Sequence, residues 1–192
     1  MFYKVVKSLC YLFLRFICRW EVKGRENLPL TGPVIVFANH ISYLDPVIIG
    51  VALARPIRFM AKEELFQIPV LKWIITGLLA FPVRRGRSDR AALKAAIQIL
   101  NKGQVLGIFP EGKRSKDGSL NPFLGGVALL ALKTEAPMLP VAIKNSNRVF
   151  RGQRVKVNIG KPLIIKGSVD SATQQVRDIT AAAQRVIAEM LA

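Results

Sequence analysis

Short apolar runs alternate along this chain with longer segments whose apolar residues recur every three or four positions. Runs of four to six mainly apolar residues predict β-strands at residues 34–38, 57–60, 81–84, 105–109, 138–143 and 155–159. The helical periodicity predicts helices at residues 47–53, 63–79 with a break at Pro69, 89–101, 126–133 and 171–190. This alternation predicts the α/β class, which we expect as a mixed, mostly parallel sheet flanked by helices.

The first twenty residues predict a helix with two unlike faces. At about 100° per residue, one arc of the helix holds the cations Lys4, Lys7, Arg15 and Arg19. The opposite arc holds the apolar residues Phe2, Val5, Val6, Leu9, Leu12, Phe13, Phe16 and Ile17. A basic amphipathic helix of this kind lies in a membrane interface, whereas a spanning helix this short would bury Arg15 too deeply. The alternative is a helix that packs on its own domain, but the aromatic content and the all-basic polar face favour the membrane.

A second apolar segment covers residues 70–81. It is apolar on nearly every side, apart from Lys72 and Thr76, and it is too short to span a membrane. A core helix and a helix that dips into the membrane surface fit this pattern equally well.

Composition and charge narrow the classes of partner. A chain of 192 residues with 51% hydrophobic side chains can bury one substantial core, so we predict one domain over residues 25–192 behind a membrane-attachment segment over residues 1–24. Twenty-nine Lys and Arg against 12 Asp and Glu give a formal charge of +17, which attracts phosphate-bearing partners. The mean hydropathy of +0.31 is unusual for a nucleic-acid binder, so we expect an anionic membrane surface and no nucleic acid. Cys10 and Cys18 lack the spacing of a disulfide framework or a zinc site.

The only histidine lies in "NHISYLDP", directly after the predicted strand at residues 34–38. Pro46 disfavours helical geometry at Asp45 and suits the first turn of a helix, so Asp45 is predicted to cap a helix after a turn that folds His40 back over it. Two interpretations follow. Asp45 only caps the helix and His40 is an ordinary loop residue, or the two form a dyad in which Asp45 fixes the tautomer and the other ring nitrogen takes a proton.

Two further polar clusters also follow predicted strands. In "FPEGKRS", residues 109–115, Glu111 and Arg114 emerge at the carboxyl end of a strand, which is the edge where open α/β sheets bind ligands. A charge-rich turn is by default a solvated loop, but this position favours a phosphate site with Arg114 as a planar donor. In "FPVRRGRSDR", Arg84 follows another strand.

The segments "NHISYLD", "FPVRR", "FPEGKRS" and "APMLPVAI" occur in the order and spacing of the glycerolipid acyltransferase family, which the chain resembles over about residues 22–165. The resemblance implies a membrane-associated enzyme of phospholipid biosynthesis, monotopic on the cytoplasmic face of the cell membrane. It would transfer a fatty acyl group from acyl-CoA or acyl-carrier protein to the free hydroxyl of lysophosphatidate, giving phosphatidate. Another acceptor, such as glycerol-3-phosphate or a different lysophospholipid, is the alternative within the family. A non-catalytic basic membrane- or nucleic-acid-binding protein is the alternative outside it.

The resemblance also implies roles for seven residues. His40 would be the general base and Asp45 its orienting partner, while the acceptor's phosphate side would be bound by Glu111, Gly112, Arg114, Arg84 and Lys62. Lys113 departs from the family pattern, which more often has a small polar residue between the glycine and the arginine. We expect no cofactor beyond the acyl donor, and with one histidine no catalytic metal.

Overall fold

The computed structural model describes residues 2–16, 18–84, 89–165 and 171–192. Its helices are α1 Phe2–Phe16, α2 Asp45–Ala52, α3 Pro69–Gly77, α4 Arg90–Asn101, α5 Gly126–Thr134 and α6 Ala172–Leu191. Its strands are β1 Glu21–Lys23, β2 Val34–Ala38, β3 Ile57–Lys62, β4 Phe81–Val83, β5 Val105–Ile108, β6 Met138–Lys144 and β7 Lys156–Ile159. Short 3-10 turns cover Arg25–Asn27, Glu63–Gln67 and Ser146–Arg151.

The described strands form one seven-stranded sheet in the order β1-β7-β6-β2-β5-β3-β4. Every neighbouring pair is parallel except β6 and β7, which are antiparallel. All five residues of β2 are buried, as expected for a parallel strand covered on both faces. One face packs against α1 and α2, and the other packs against α4, α5 and α6. The prediction of a mixed, mostly parallel sheet flanked by helices is confirmed.

Strand β1 is absent from the predicted elements. It is only three residues long, Glu21–Lys23, and two of its three residues are charged, so it has no apolar run that a sequence pattern could detect. It pairs in parallel with β7 at one end of the sheet. The predicted domain boundary after residue 24 therefore comes after β1 in the chain, although β1 is part of the sheet.

Two predicted helices differ from the structure. Leu44, and not Asp45, is the N-cap residue of α2; the helix begins at Asp45, so the capping role predicted for this residue was wrong. Pro46 lies in the first turn, where backbone N–H groups have no acceptor within the helix, so the missing N–H of proline costs no hydrogen bond. The predicted helix at residues 63–79 is a 3-10 turn followed by α3, and the break falls at Pro69 as predicted.

Helix α1 is attached to the domain by a narrow seam and turns its apolar face outward. It packs on α2, and within the seam Leu14 is buried. Lys7, one of the cations on the predicted basic arc, lies in this seam, where its Nζ donates a hydrogen bond to the carbonyl of Leu53. The apolar residues that point away from the domain are Val5, Leu9, Leu12, Phe13 and Phe16. Ile17 lies outside the described residues.

Helix α3, from the second apolar segment, contains no buried residue. Its Val70, Trp73 and Ile74 are exposed, and the rings of Trp73 and Phe2 lie 4.8 Å apart. The interpretation of this segment as a core helix is therefore wrong. No helix in the described part of the chain is long and apolar enough to cross a membrane.

Candidate active site

The predicted site residues follow four neighbouring parallel strands at one edge of the sheet. Strands β2, β5, β3 and β4 lie side by side in that order. Along this edge come, in turn, His40, then Glu111 with Gly112 and Arg114, then Lys62, then Arg84. Since neighbouring strands lie about 4.8 Å apart, Lys62 is two strands and Arg84 three strands away from the histidine. We call this edge the rim.

His40 and Asp45 form a buried hydrogen-bonded pair. The Nδ1 atom of His40 lies 2.8 Å from Oδ2 of Asp45, and the two residues are 7% and 0% exposed. A carboxylate can only accept, so it holds the imidazole proton on Nδ1 and leaves Nε2 as the basic nitrogen. Every fully buried side-chain nitrogen or oxygen of the described residues has a hydrogen-bond partner. The Nε2 atom of His40 has no partner among these residues, so it is not fully buried and is open to solvent. The dyad interpretation matches this geometry.

The carboxylate of Asp45 is held by more than the histidine. Its Oδ2 also accepts the backbone N–H groups of Ile41 and Ser42, each at 2.7 Å, and its Oδ1 accepts the hydroxyl of Ser146. These bonds explain the local fold, because they close the loop between β2 and α2 into a turn around the carboxylate. Buried carboxylates need such donors to offset the loss of water.

The loop between β2 and α2, residues 39–44, which we call the histidine loop, is fixed to the strands on both sides of β2. On the β5 side, the backbone N–H of His40 donates to Oε1 of Glu111 at 2.6 Å and its carbonyl accepts the N–H of Ser115 at 2.8 Å. On the β6 side, the amide group of Asn39 accepts from the N–H of Ile143 at 2.8 Å and donates to its carbonyl at 2.9 Å. The imidazole stacks on the ring of Phe109, with centroids 4.0 Å apart and the planes 16° from parallel. The side chain of His40 is therefore positioned before any substrate binds.

Glu111 and Gly112 shape the loop after β5. Oε2 of Glu111 accepts the backbone and side-chain N–H groups of Asn121 at 3.0 and 2.7 Å, so both oxygens of this buried carboxylate are bonded to protein. Gly112 has a φ of +68°, and a Cβ atom there would lie 2.8 Å from Cδ1 of Leu124. The positive φ favours glycine, and the tight turn at this position carries Arg114 back beside the histidine loop.

The three cations on the rim have different partners. Lys62 lies 3.0 Å from Oε1 of Glu64. Arg84 donates to Oε2 of Glu63 at 2.8 Å, and this hydrogen bond and the glutamate's charge raise the pKa of Arg84. The guanidinium of Arg114 lies 3.5 Å above the ring of Tyr43.

Several residues of the site were not predicted. Asn39 is bonded to β6 and Ser146 follows that strand. Their contacts could not be predicted because the sequence does not reveal that β6 lies beside β2. Phe109 and Tyr43 lay inside quoted motifs, but no role was predicted for either.

No three described His, Cys, Asp or Glu side chains are grouped as a metal site would require.

Comparison with known proteins places this chain in a family. The family model described as Acyltransferase matches residues 19–144. The chain is 38% identical over 131 residues to a 1-acyl-sn-glycerol-3-phosphate acyltransferase of Borreliella burgdorferi, covering 67% of this chain and 52% of that protein. It is 31% identical over 147 residues to the protein of the same name from Bacillus subtilis, covering 74% and 73%. The chain thus spans about half the length of the first relative and about three quarters of the second.

A solved structure is also similar. The crystal structure of the 1-acyl-sn-glycerophosphate (LPA) acyltransferase PlsC from Thermotoga maritima superimposes with a TM-score of 0.75 at 28% identity, covering 97% of this chain and 79% of that one. The family model, the relative from Bacillus subtilis and the similar solved structure agree, and the chain belongs to the acyltransferase family.

Proposed function

We propose that this protein transfers a fatty acyl group from an acyl thioester to the free hydroxyl of lysophosphatidate, forming phosphatidate. The observation that carries the proposal is the buried His40–Asp45 pair with Nε2 accessible at the rim. The names of the similar proteins from Borreliella, Bacillus and Thermotoga support the choice of acceptor.

In this mechanism His40 acts as a general base. Its Nε2 takes the proton from the acceptor hydroxyl as the oxygen attacks the thioester carbonyl. The new C–O ester bond forms, the C–S bond breaks, and the proton on Nε2 passes to the departing thiolate. Asp45 keeps the imidazole oriented and stabilises its positive charge while the proton is held. Neither cysteine is needed, because the acceptor oxygen attacks the donor directly.

The cations of the rim would bind the acceptor's phosphate. Arg114 is the nearest to the histidine, since its loop is bonded to His40 through Ser115. Lys62 and Arg84 lie further along and are already paired with glutamates, so phosphate would have to compete for them. In this proposal Glu111 positions the His40 backbone, and Gly112 provides the turn that presents Arg114.

We also propose that the protein attaches to the cytoplasmic, anionic face of the membrane without spanning it. Helices α1 and α3 both expose apolar residues, and the two helices meet at the contact between the rings of Phe2 and Trp73. Single exposed apolar residues are ordinary, but a contiguous apolar patch indicates an interaction site. The formal charge of +17 adds attraction to anionic lipid.

The test is transfer of labelled acyl groups from acyl-CoA and from acyl-carrier protein to lysophosphatidate in lipid vesicles. We expect phosphatidate from the wild type and a loss of about 10²- to 10⁴-fold in kcat for His40→Ala, with Asp45→Asn also strongly reduced. Circular dichroism of each variant establishes that it is folded. A folded His40→Ala protein with wild-type kcat would refute the general base, and product only from glycerol-3-phosphate would refute the acceptor.

A further inference from the structure

Tyr43 is a large aromatic residue that lies on the surface in the middle of the histidine loop. It is 76% exposed, so core packing does not account for an aromatic side chain here. The backbone around it is nevertheless fixed. Asp45 accepts the N–H of Ser42 at 2.7 Å, and the hydroxyl of Ser42 accepts the N–H of Leu44 at 3.2 Å. The loop therefore presents the Tyr43 ring in a defined place.

The ring of Tyr43 carries the guanidinium of Arg114. The Cζ atom of Arg114 lies 3.5 Å from the ring centroid, well within the range of a cation–π contact. This contact joins the two loops that the main-chain bond between Ser115 and His40 also joins.

A stacked guanidinium retains its hydrogen-bonding capacity. The cation–π contact uses the flat face of the group, whereas its five N–H donors point outward in the plane. Among the described residues, no carboxylate or carbonyl oxygen accepts a hydrogen bond from the side chain of Arg114. Its in-plane donors are therefore available for bidentate binding of a phosphate, in contrast to those of Arg84, which is bonded to Glu63.

We propose that Tyr43 is a positioning residue for acceptor binding: its ring holds Arg114 in the orientation that grips the acceptor's phosphate. The inference rests on the proposed function, and it adds a residue that acts through Arg114 and not on the reacting atoms. Stacking orders a long side chain before the phosphate arrives, so less conformational entropy is lost on binding. Tyr43 therefore increases the affinity for the acceptor and does not change the rate of the chemical step.

The experiment is a double-mutant cycle with Tyr43→Leu, Arg114→Gln and the combined variant, with Tyr43→Phe as the variant that restores the ring. We expect Tyr43→Leu to raise the KM for lysophosphatidate by about 2- to 30-fold, the range that cation–π contacts support, with kcat changed less than twofold. Tyr43→Phe should restore the KM. In the Arg114→Gln background, Tyr43→Leu should have no further effect, because the two changes remove the same interaction.

Two further measurements separate this role from others. Inhibition by sn-glycerol-3-phosphate, which stays in solution, should weaken by the same factor in Tyr43→Leu. Binding to vesicles of phosphatidylglycerol and phosphatidylcholine should not change. An undiminished effect of Tyr43→Leu in the Arg114→Gln background, or a parallel loss of vesicle binding, would overturn the inference. A wild-type KM in Tyr43→Leu would overturn it while leaving the proposed function intact, whereas a wild type without phosphatidate synthesis would refute both.

Discussion

At the scale of single residues, the orientation of Asp45 depends on hydrogen-bond donors other than His40. Two backbone N–H groups and the hydroxyl of Ser146 bond to the same carboxylate as His40 does. Ser146 is 2% exposed and lies in the 3-10 turn that follows β6, 101 residues from Asp45 along the chain. Among the described residues, Ser146 is the only side chain that donates to Oδ1, so the geometry of the His40–Asp45 pair depends on a contact outside the segment "NHISYLDP".

Ser146→Ala should therefore lower both stability and turnover. The variant leaves a buried carboxylate oxygen without its donor, which costs about 1–3 kcal/mol in free energy of unfolding. Because Asp45 becomes less firmly oriented, kcat should fall, though by less than the roughly 10²-fold or greater loss expected for His40→Ala. Urea unfolding and the acyl-transfer assay measure the two effects on one preparation.

Ser171→Ala is the matched control for this prediction. Ser171 is the N-cap of α6, where its hydroxyl accepts the N–H of Gln174, and losing such a cap costs about 1 kcal/mol. This variant should lose stability while its kcat stays unchanged. An equal fall in kcat for both variants would mean that turnover follows stability alone, and the role given to Ser146 would be wrong.

The residues that could be predicted are those whose partners are close in sequence. His40 and Asp45 are five residues apart, so a turn before Pro46 was enough to make their contact one of two interpretations. Ser146 requires knowledge that β6 lies beside β2, which local patterns do not contain. Glu111 was correctly placed at the rim, but the direction of its carboxylate depends on Asn121 in a separate loop. The roles of the phosphate-binding residues remain predictions.

At the scale of elements, the same limit applies. Helices and strands with several apolar positions were predicted within a few residues, whereas β1 was missed because pairing with β7, and not its own composition, makes it a strand. Helix α1 was predicted as a helix, but the contact of Lys7 with the end of α2 could not be read from its position on the basic arc. A lysine whose amine reaches a backbone carbonyl can lie in a packing seam, because its four-carbon stem packs like an apolar side chain.

The contact between Lys7 and the end of α2 should be visible as a pH dependence of stability. Burial, and then the charge of Arg25, lower the pKa of Lys7 in the folded protein. The unfolded chain then binds more protons than the folded one between the lowered pKa and 10.5, so stability rises with pH in that window. Below the lowered pKa, Lys7 is protonated in both states and contributes no slope.

Lys7→Met and Lys7→Arg both remove this titration. Relative to either variant, the wild type should gain free energy of unfolding as the pH rises toward 10.5, by less than the one-proton limit of about 1.4 kcal/mol per pH unit. Urea unfolding at pH 7 and at alkaline pH, with Arg15→Met as a control on the exposed side of α1, measures the difference. A wild type whose stability changes with pH in parallel with Lys7→Met would show that Lys7 titrates normally.

At the scale of the whole molecule, the protein combines a strong positive charge with an apolar surface that its own domain does not cover. Leu9 is 62% and Phe16 is 73% exposed on α1, and Trp73 is 66% exposed on α3. Burying one such side chain stabilises binding by about 1.5–3 kcal/mol, and each basic residue near an anionic surface adds about 1 kcal/mol. The apolar contribution depends on the exposed side chains and the electrostatic contribution depends on the salt concentration, so the two can be separated by experiment.

The double variant Leu9→Ser/Phe16→Ser should weaken binding to vesicles containing phosphatidylglycerol by at least about tenfold, because it removes two apolar side chains from the inserted face. Leu30→Ser is the matched control: Leu30 is 85% exposed but lies outside α1 and α3, and its removal should leave binding unchanged. Raising the salt concentration should weaken binding of the wild type and of both variants, since screening acts on the charge and not on the apolar contact. Co-sedimentation with vesicles at two salt concentrations gives all of these values. Equal losses for Leu30→Ser and the α1 variant would show that general surface hydrophobicity, and not the outward face of α1, holds the protein at the membrane.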